Sequence, residues 1–275
     1  MNNIYDYALS ILKSGSIEDK VTPYQGKMDF CLWKGIDWKD HYPERERKIA
    51  FSSIQEKFPK VSKFHDQSIR AKALHFFANH ELLAIEIMAL MIVKFPTLTQ
   101  DDHRVKLGLL KTLKDEQIHF NLYLKRMRQL GIDFGDYHLN DFFWRYTDKL
   151  KSLDQYYCFM PLTFEAANLD FSLFYQKVFQ DVEDHQSVKI LKKVYDDEIS
   201  HVRFGVQMIK GQQKGLDLYK FYLENLPEGL SPARSKGMVF DHVGREKAGF
   251  DREMIETIKT YKDDFQVVNR KSGHD

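Results

Sequence analysis

The chain has 275 residues, enough for one large domain or two ordinary ones, and its 43% hydrophobic and 14% aromatic content excludes a disordered polymer. With 41 basic against 40 acidic residues the net charge is +1, so no overall field draws in nucleic acid or an anionic membrane, although "LKRMRQ" (124–129) is a local basic patch. The two cysteines, Cys31 and Cys158, lie far apart and outside any CxxC pair, which excludes a thiolate metal cage and favours a reducing, cytoplasmic setting.

Helical periodicity dominates from the start, and strand or hairpin signals are weak. The opening "MNNIYDYALSILKSGS" lacks the basic stretch and long apolar run of a secretory signal and reads as a helix over 3–13. A second short helix is expected over 45–57, punctuated by Pro43 and Pro59. A long helix over 67–94 stops before Pro96; its apolar stretch "LLAIEIMALMIVKF" is interrupted by Glu86 and is too short to cross a bilayer. The next helix opens at Asp101-Asp102, read as its N-cap, and runs to Gly131. A connection with a short helix ("LNDFFWRYTDKL") leads to Pro161, which suits a first helical turn. Helices over 161–181 and 185–211 follow, and a tail with Gly and Pro breaks ends in a helix at 251–262. The expected organisation is an N-terminal extension (1–66), a four-helix bundle (67–212) and a C-terminal extension (213–275).

The long helices contain a repeat. "HELLAIE" (80–86) aligns with "FEAANLD" (164–170), which matches Glu81 with Glu165 and Glu86 with Asp170. Downstream, "DDH" aligns with "EDH", and from His103 and His185 it is 13 residues to Glu116 and to Glu198 respectively. Asp-Glu-x-x-His then occurs twice, as Asp115-Glu116…His119 and Asp197-Glu198…His201. Residues three apart share a helix face, so each copy offers one carboxylate and one imidazole together. A duplicated helix pair with a long crossover describes an all-α, ferritin-like four-helix bundle.

With Glu81 and Glu165 from the partner helices, the inventory is four carboxylates and two histidines. That is the donor set of a di-iron or di-manganese carboxylate bundle. Burying four carboxylates without compensation is severely unfavourable, and two divalent cations cancel their charge. The expected metal ligands are Glu81, Glu116, His119, Glu165, Glu198 and His201, and the mixed O/N set suits two iron ions, with manganese or a mixed pair as the alternative. Glu86 lies five residues from Glu81, roughly 140° around the helix, so both cannot face one site. The alignment favours Glu81; Glu86 and Asp170 form a second matched pair, expected in a buried ion pair or hydrogen bond. Asp115 and Asp197 are either partners of the histidines, reaching to the opposite copy, or exposed helix acids. His75 and His80 do not share the matched geometry. His103 and His185 are expected in local or solvent-exposed roles at helix starts, and Tyr195, three residues before Glu198, in aromatic packing.

The segments "FANHELLAIEIMALM", "DEQIHFNLYLKRM", "FEAANLD" and "DDEISHVRFG" together resemble an uncharacterised family of bacterial ferritin-like proteins grouped as a domain of unknown function. The opening "DYALSILKSGSIEDK" and the tail "FDHVGREKAGFDREM" resemble the same family, so the similarity covers nearly the whole chain. That family is distantly similar to the tRNA hydroxylase acting on methylthio-isopentenyl-adenosine. The resemblance implies a ferritin-like fold with a non-haem dimetal centre on the same six residues, and it supplies no substrate.

Three functions compete at this level. The first is an oxidoreductase that uses O2 to oxidise or hydroxylate a small molecule or modified nucleoside with an external electron donor, in which Arg234, Lys236 and Arg245 of the tail bind an anionic substrate group. The second is iron handling, as a ferroxidase or a peroxidase. The third is a bundle that binds RNA or a protein partner. No membrane contact is expected, and a homodimer is compatible with the sequence.

Overall fold

In the computed structural model, which describes residues 3–26, 29–39, 41–213 and 215–263, the chain is all-α apart from two isolated β-bridges. α1 (Ile4–Lys13) is capped by Asn3, whose side chain accepts from the Tyr5 and Asp6 amides, and it buries Ile4, Ala8, Ile11 and Leu12 along one stripe. α2 (Ile17–Val21) is one short turn. The helix expected over 45–57 does not form: only a 3₁₀ turn at Arg47–Ile49 is present, and the chain then runs extended, with the Ser52 amide donating to Leu139 O. Tertiary partners override local propensity here, because Arg45 is drawn into the core and Phe51 bridges to Leu139.

The bundle follows. α3 (Gln67–Lys94) starts at an Asp66 cap and ends before Pro96. It is apolar on nearly every side, as a fully surrounded helix must be. Among the described residues it alone has the length and composition of a membrane span, more than its apolar stretch suggested, but 83% of that window is buried inside the protein. Its last carbonyls are capped by the extended segment: Val93 O accepts from the Ile36 amide at 3.1 Å and from Trp33 Nε1 at 2.7 Å. Gly35 permits this approach, with φ +80° and a Lys94 carbonyl only 2.7 Å from where a Cβ would stand. α4 (Gln100–Gln129) begins one step before the expected cap: Thr99 is the N-cap, and Asp102 closes a capping box with it.

The third long helix begins at 153 rather than at Pro161. α5 (Leu153–Phe159) passes through a π-helical segment, Met160–Glu165, into α6 (Ala166–Asp181). Pro161 sits inside this continuous helix, where its missing N–H and bulky ring break the regular ladder. Wider π bonds absorb the defect, with the Ala166 amide reaching Pro161 O, and Thr163 Oγ1 satisfies Cys158 O at 2.7 Å. α7 (His185–Lys210) is capped by Asp184, which also binds Arg70 and Arg126 of α3 and α4 at 3.2 and 2.8 Å.

α3 packs on α4, α6 packs on α7, and the two pairs meet through α4 and α7. After α7 come α8 (Leu218–Asn225), a 3₁₀ turn at Pro232–Ser235, α9 (His242–Ala248) and α10 (Arg252–Thr260), which ends close to the expected 262. α1 lies on α3 and α9 lies on α7, so both terminal regions cover the bundle.

Candidate metal centre

Each bundle element delivers its share of one buried cluster. Glu81 comes from α3, Glu116 and His119 from α4, Glu165 from the end of the π segment, and Glu198 and His201 from α7. All six are buried, none more than 5% exposed. Their donor atoms form two overlapping groups, Glu81–Glu116–His119 and Glu116–Glu165–Glu198–His201, within each of which every donor lies within 4.8 Å of the others. Glu116 belongs to both, so its two oxygens stand between two positions.

The histidines are oriented by a crossed pair of contacts. His119 turns Nδ1 toward Glu116 Oε2, at 3.2 Å, and Nε2 toward Asp197 of the other repeat, at 2.8 Å. His201 turns Nδ1 toward Glu116 Oε1, at 3.1 Å, and Nε2 toward Asp115, at 3.3 Å. Both aspartates therefore reach the histidine of the opposite copy, and Asp197 is itself held by Lys193. A carboxylate accepting from the far nitrogen would leave Nδ1 to offer its lone pair to a metal in place of a proton. Asn168, which sequence reading passed over, donates to Glu198 Oε1 at 2.7 Å; its signal was a place one turn after Glu165. Tyr123, one turn after His119, lines the same space.

Electrostatics mark the cluster as incomplete on its own. Burial, and then the Glu116 charge, push the Glu81 carboxyl well above the usual range; burial and the Glu198 charge do the same to Glu165. Burial and Glu116 also raise Glu198. Burial acts upward on Glu116 as well, but its close contacts with Glu81, His119 and His201 outweigh it and hold this carboxyl low. Both imidazoles are pushed down by burial and pulled further up by their carboxylates, ending well above the ordinary histidine range. The hydrogen bonding agrees: both Glu165 oxygens and Glu198 Oε2 are buried without a hydrogen-bond partner, and Glu116 Oε1 and His201 Nδ1 face each other at 3.1 Å without the alignment of a hydrogen bond. Orphaned acceptors are costly, and these are hard oxygen and imidazole donors turned toward common points, so the residues fit divalent cations.

The other expectations divide. Glu86 faces away from the cluster and is locked to Lys20 at 3.0 Å and Arg45 at 2.6 Å, all three side chains being at most 2% exposed. Asp170 is equally buried and pairs with Arg245 at 2.6 Å. Arg245 is thus not free for a substrate: it is fully buried, and its two terminal nitrogens also donate to the Ala166, Ser235 and Asp241 carbonyls. Arg234 and Lys236 do line a cavity above the cluster. Tyr195 donates to Asp241 at 2.8 Å, outside the site. His75 and His103 are buried elsewhere; His103 is not solvent-exposed but meets the Phe30 ring edge-on. His80 stands over Phe143 in the cavity wall.

That cavity has a volume of about 560 Å³ and opens between α3 and α6. Its floor is the four carboxylates, and its walls include Phe58, Phe77, Phe164, Phe171 and Tyr175. The volume lies within the usual range for small-molecule sites.

Residues 15–256 match a family described as "Protein of unknown function (DUF455)". An uncharacterised protein of Haemophilus influenzae is 24% identical over 277 residues, a stretch covering 95% of this chain and 90% of that protein. No solved structure matches the chain.

Proposed function

We propose, from the premise that the chain belongs to the DUF455 family of proteins of unknown function, that it is a dimetal carboxylate oxidoreductase. In this reading it uses O2 and an external electron donor to oxidise or hydroxylate an organic substrate. One observation carries the proposal: six buried side chains from two repeated helix pairs turn their donor atoms, several of them without a hydrogen-bond partner, into two overlapping groups that share Glu116. Glu81, Glu116 and His119 would hold one ion and Glu116, Glu165, Glu198 and His201 the other, with iron the first choice and manganese or a mixed pair second. A bound pair of redox-active ions would supply the site of dioxygen reduction.

The chain's own contribution is to fix and to exclude. Asp115 and Asp197 hold the imidazoles, Asn168 holds Glu198, and the aromatic walls keep bulk water from the floor. The cavity favours an organic substrate over simple iron storage, because transit of an iron ion needs no 560 Å³ aromatic chamber. The distant resemblance to the tRNA hydroxylase keeps a modified nucleoside among the substrates to assay.

The test is metal content per chain in protein from iron-replete cells, beside the Glu116→Ala/Glu198→Ala double variant. Two metal ions per wild-type chain, lost in the variant, followed by reductant-dependent O2 consumption, are the expected outcomes. Negligible metal, with both proteins equally stable, overturns the reading.

A further inference from the structure

Of the charged residues that line the cavity, Glu81, Glu116, Glu165 and Glu198 are buried at its floor, half-buried Glu56 is paired with Lys72 at 2.6 Å, and Arg145 and Arg234 are exposed at its rim. Arg145 is already compensated, its guanidinium held by Asp141. Arg234 makes no ion pair among the described residues, and its guanidinium stands 5.5 Å from the centre of the Phe142 ring, another cavity-lining residue. Lys236, two residues on, also lines the cavity; its ammonium is held by the Lys259 and Tyr261 carbonyls at 2.8 and 2.7 Å, and among the described residues it makes no ion pair.

The segment carrying these cations is fixed rather than loose. Arg245 donates to Ser235 O at 2.7 Å, and the Gly237 amide donates to Asp170 Oδ2 at 2.8 Å. The buried Asp170–Arg245 pair thus grips the backbone on either side of Lys236 and sets the rim at a constant distance from the floor. An unpaired arginine at the rim, aromatic walls and the buried cluster at the floor thus succeed one another along one cavity.

We propose that the cavity takes an apolar, aromatic-sized molecule with one terminal anionic group, a carboxylate or a phosphate, and that Arg234 with Lys236 is the element that binds that group. This rests on the cavity being the substrate site of the proposed dimetal centre. An anion at the rim is attracted by Arg234, and the aromatic walls below it receive the apolar part, so the molecule enters with its apolar end toward the cluster. The end remote from the anion is then the end presented for oxidation.

Calorimetric titration of the protein as purified, with metal content measured on the same sample, tests this. The probes are biphenyl-4-carboxylate, biphenyl-4-yl phosphate and the neutral biphenyl-4-carboxamide. At least one anion is expected to bind about tenfold or more tighter than the amide, as a charge-assisted contact requires. Arg234→Ala should remove that preference and leave the amide unchanged, with Arg234→Lys intermediate; the exposed side chain supports no core packing, so these variants should fold. Whichever anion binds tighter identifies the headgroup. Equal binding of anions and amide, an anion preference that survives Arg234→Ala, or no binding of any probe at millimolar concentration overturns the inference. Metal-free protein that still binds the anion through Arg234 would sink the dimetal reading and leave this one standing. Two metal ions per chain with no anion preference would do the reverse.

Discussion

At the scale of single residues, the crossed aspartates matter most to the cluster. Asp197 and Asp115 sit on the far nitrogens of His119 and His201, where an acceptor fixes which nitrogen is free to ligate. Asp197→Asn should weaken metal binding about 10–100-fold while leaving the fold intact, read by competition with a chelator of known affinity. His75 gives a separate, titratable prediction. Its Nε2 accepts from the Gly135 amide at 3.0 Å, and burial lowers its pKa from 6.5 to about 4, against the opposing pull of Asp136 and Glu56. The folded state therefore prefers neutral His75. Its stabilising contribution is complete above about pH 6.5 and is lost as pH falls toward 4, amounting to about 2 kcal/mol between pH 7 and 4.5. Urea unfolding across that interval should show a smaller loss for His75→Gln than for the wild type by about that amount.

At the scale of elements, the continuous α5–π–α6 helix carries a deliberate irregularity. Pro161 forces the π segment, and Glu165 stands at its C-terminal end, where the changed helical phase sets its direction. Gly205 of α7 lets this segment come close: a Cβ there would lie 2.3 Å from Pro161 Cβ. The α6–α9 connection depends on one ion pair instead. Arg245→Met would leave Asp170 as an uncompensated buried charge, at a cost of about 3–5 kcal/mol in equilibrium unfolding. Arg245→Lys should restore only part, because a lysine cannot reach both Asp170 oxygens and the Ala166 and Ser235 carbonyls together.

At the scale of the whole molecule, the repeat extends beyond the proposed ligands. Its second matched acids, Glu86 and Asp170, each bury an arginine from outside the bundle: Arg45 from the N-terminal region and Arg245 from the C-terminal region. The terminal regions are thus pinned at equivalent positions of the two halves, on the sides of α3 and α6 that face away from the cluster. Stability should also depend on the cluster itself. If two divalent cations neutralise its carboxylates, chelation should lower the melting temperature through the lost linkage free energy, about 4 kcal/mol per ion where free metal stands at 1,000 times Kd. Differential scanning calorimetry with and without chelator measures this, and the Glu116→Ala/Glu198→Ala variant should not respond to the chelator.

The sequence by itself determined the helical class, the duplicated pair and the set of acids and histidines, because a 3.6-residue period translates spacing directly into shared faces. Asp-Glu-x-x-His written twice put Glu116 with His119 and Glu198 with His201 on shared helix faces, and the packing of α4 on α7 brought the two faces together. The choice between Glu81 and Glu86 was only half legible: alignment favoured Glu81, but the partners that claim Glu86 are Lys20 and Arg45, brought from far along the chain. Arg245 read as an available cation and proved to be a buried clamp, and residues 45–57 read as a helix and proved to be one 3₁₀ turn followed by irregular chain. Pro161 read as a helix start and lies inside a helix. These outcomes share one cause. Local pattern sets what a segment can do alone, whereas burial, ion pairing and the cavity between α3 and α6 arise only when distant segments meet, and only the tertiary structure decides which do.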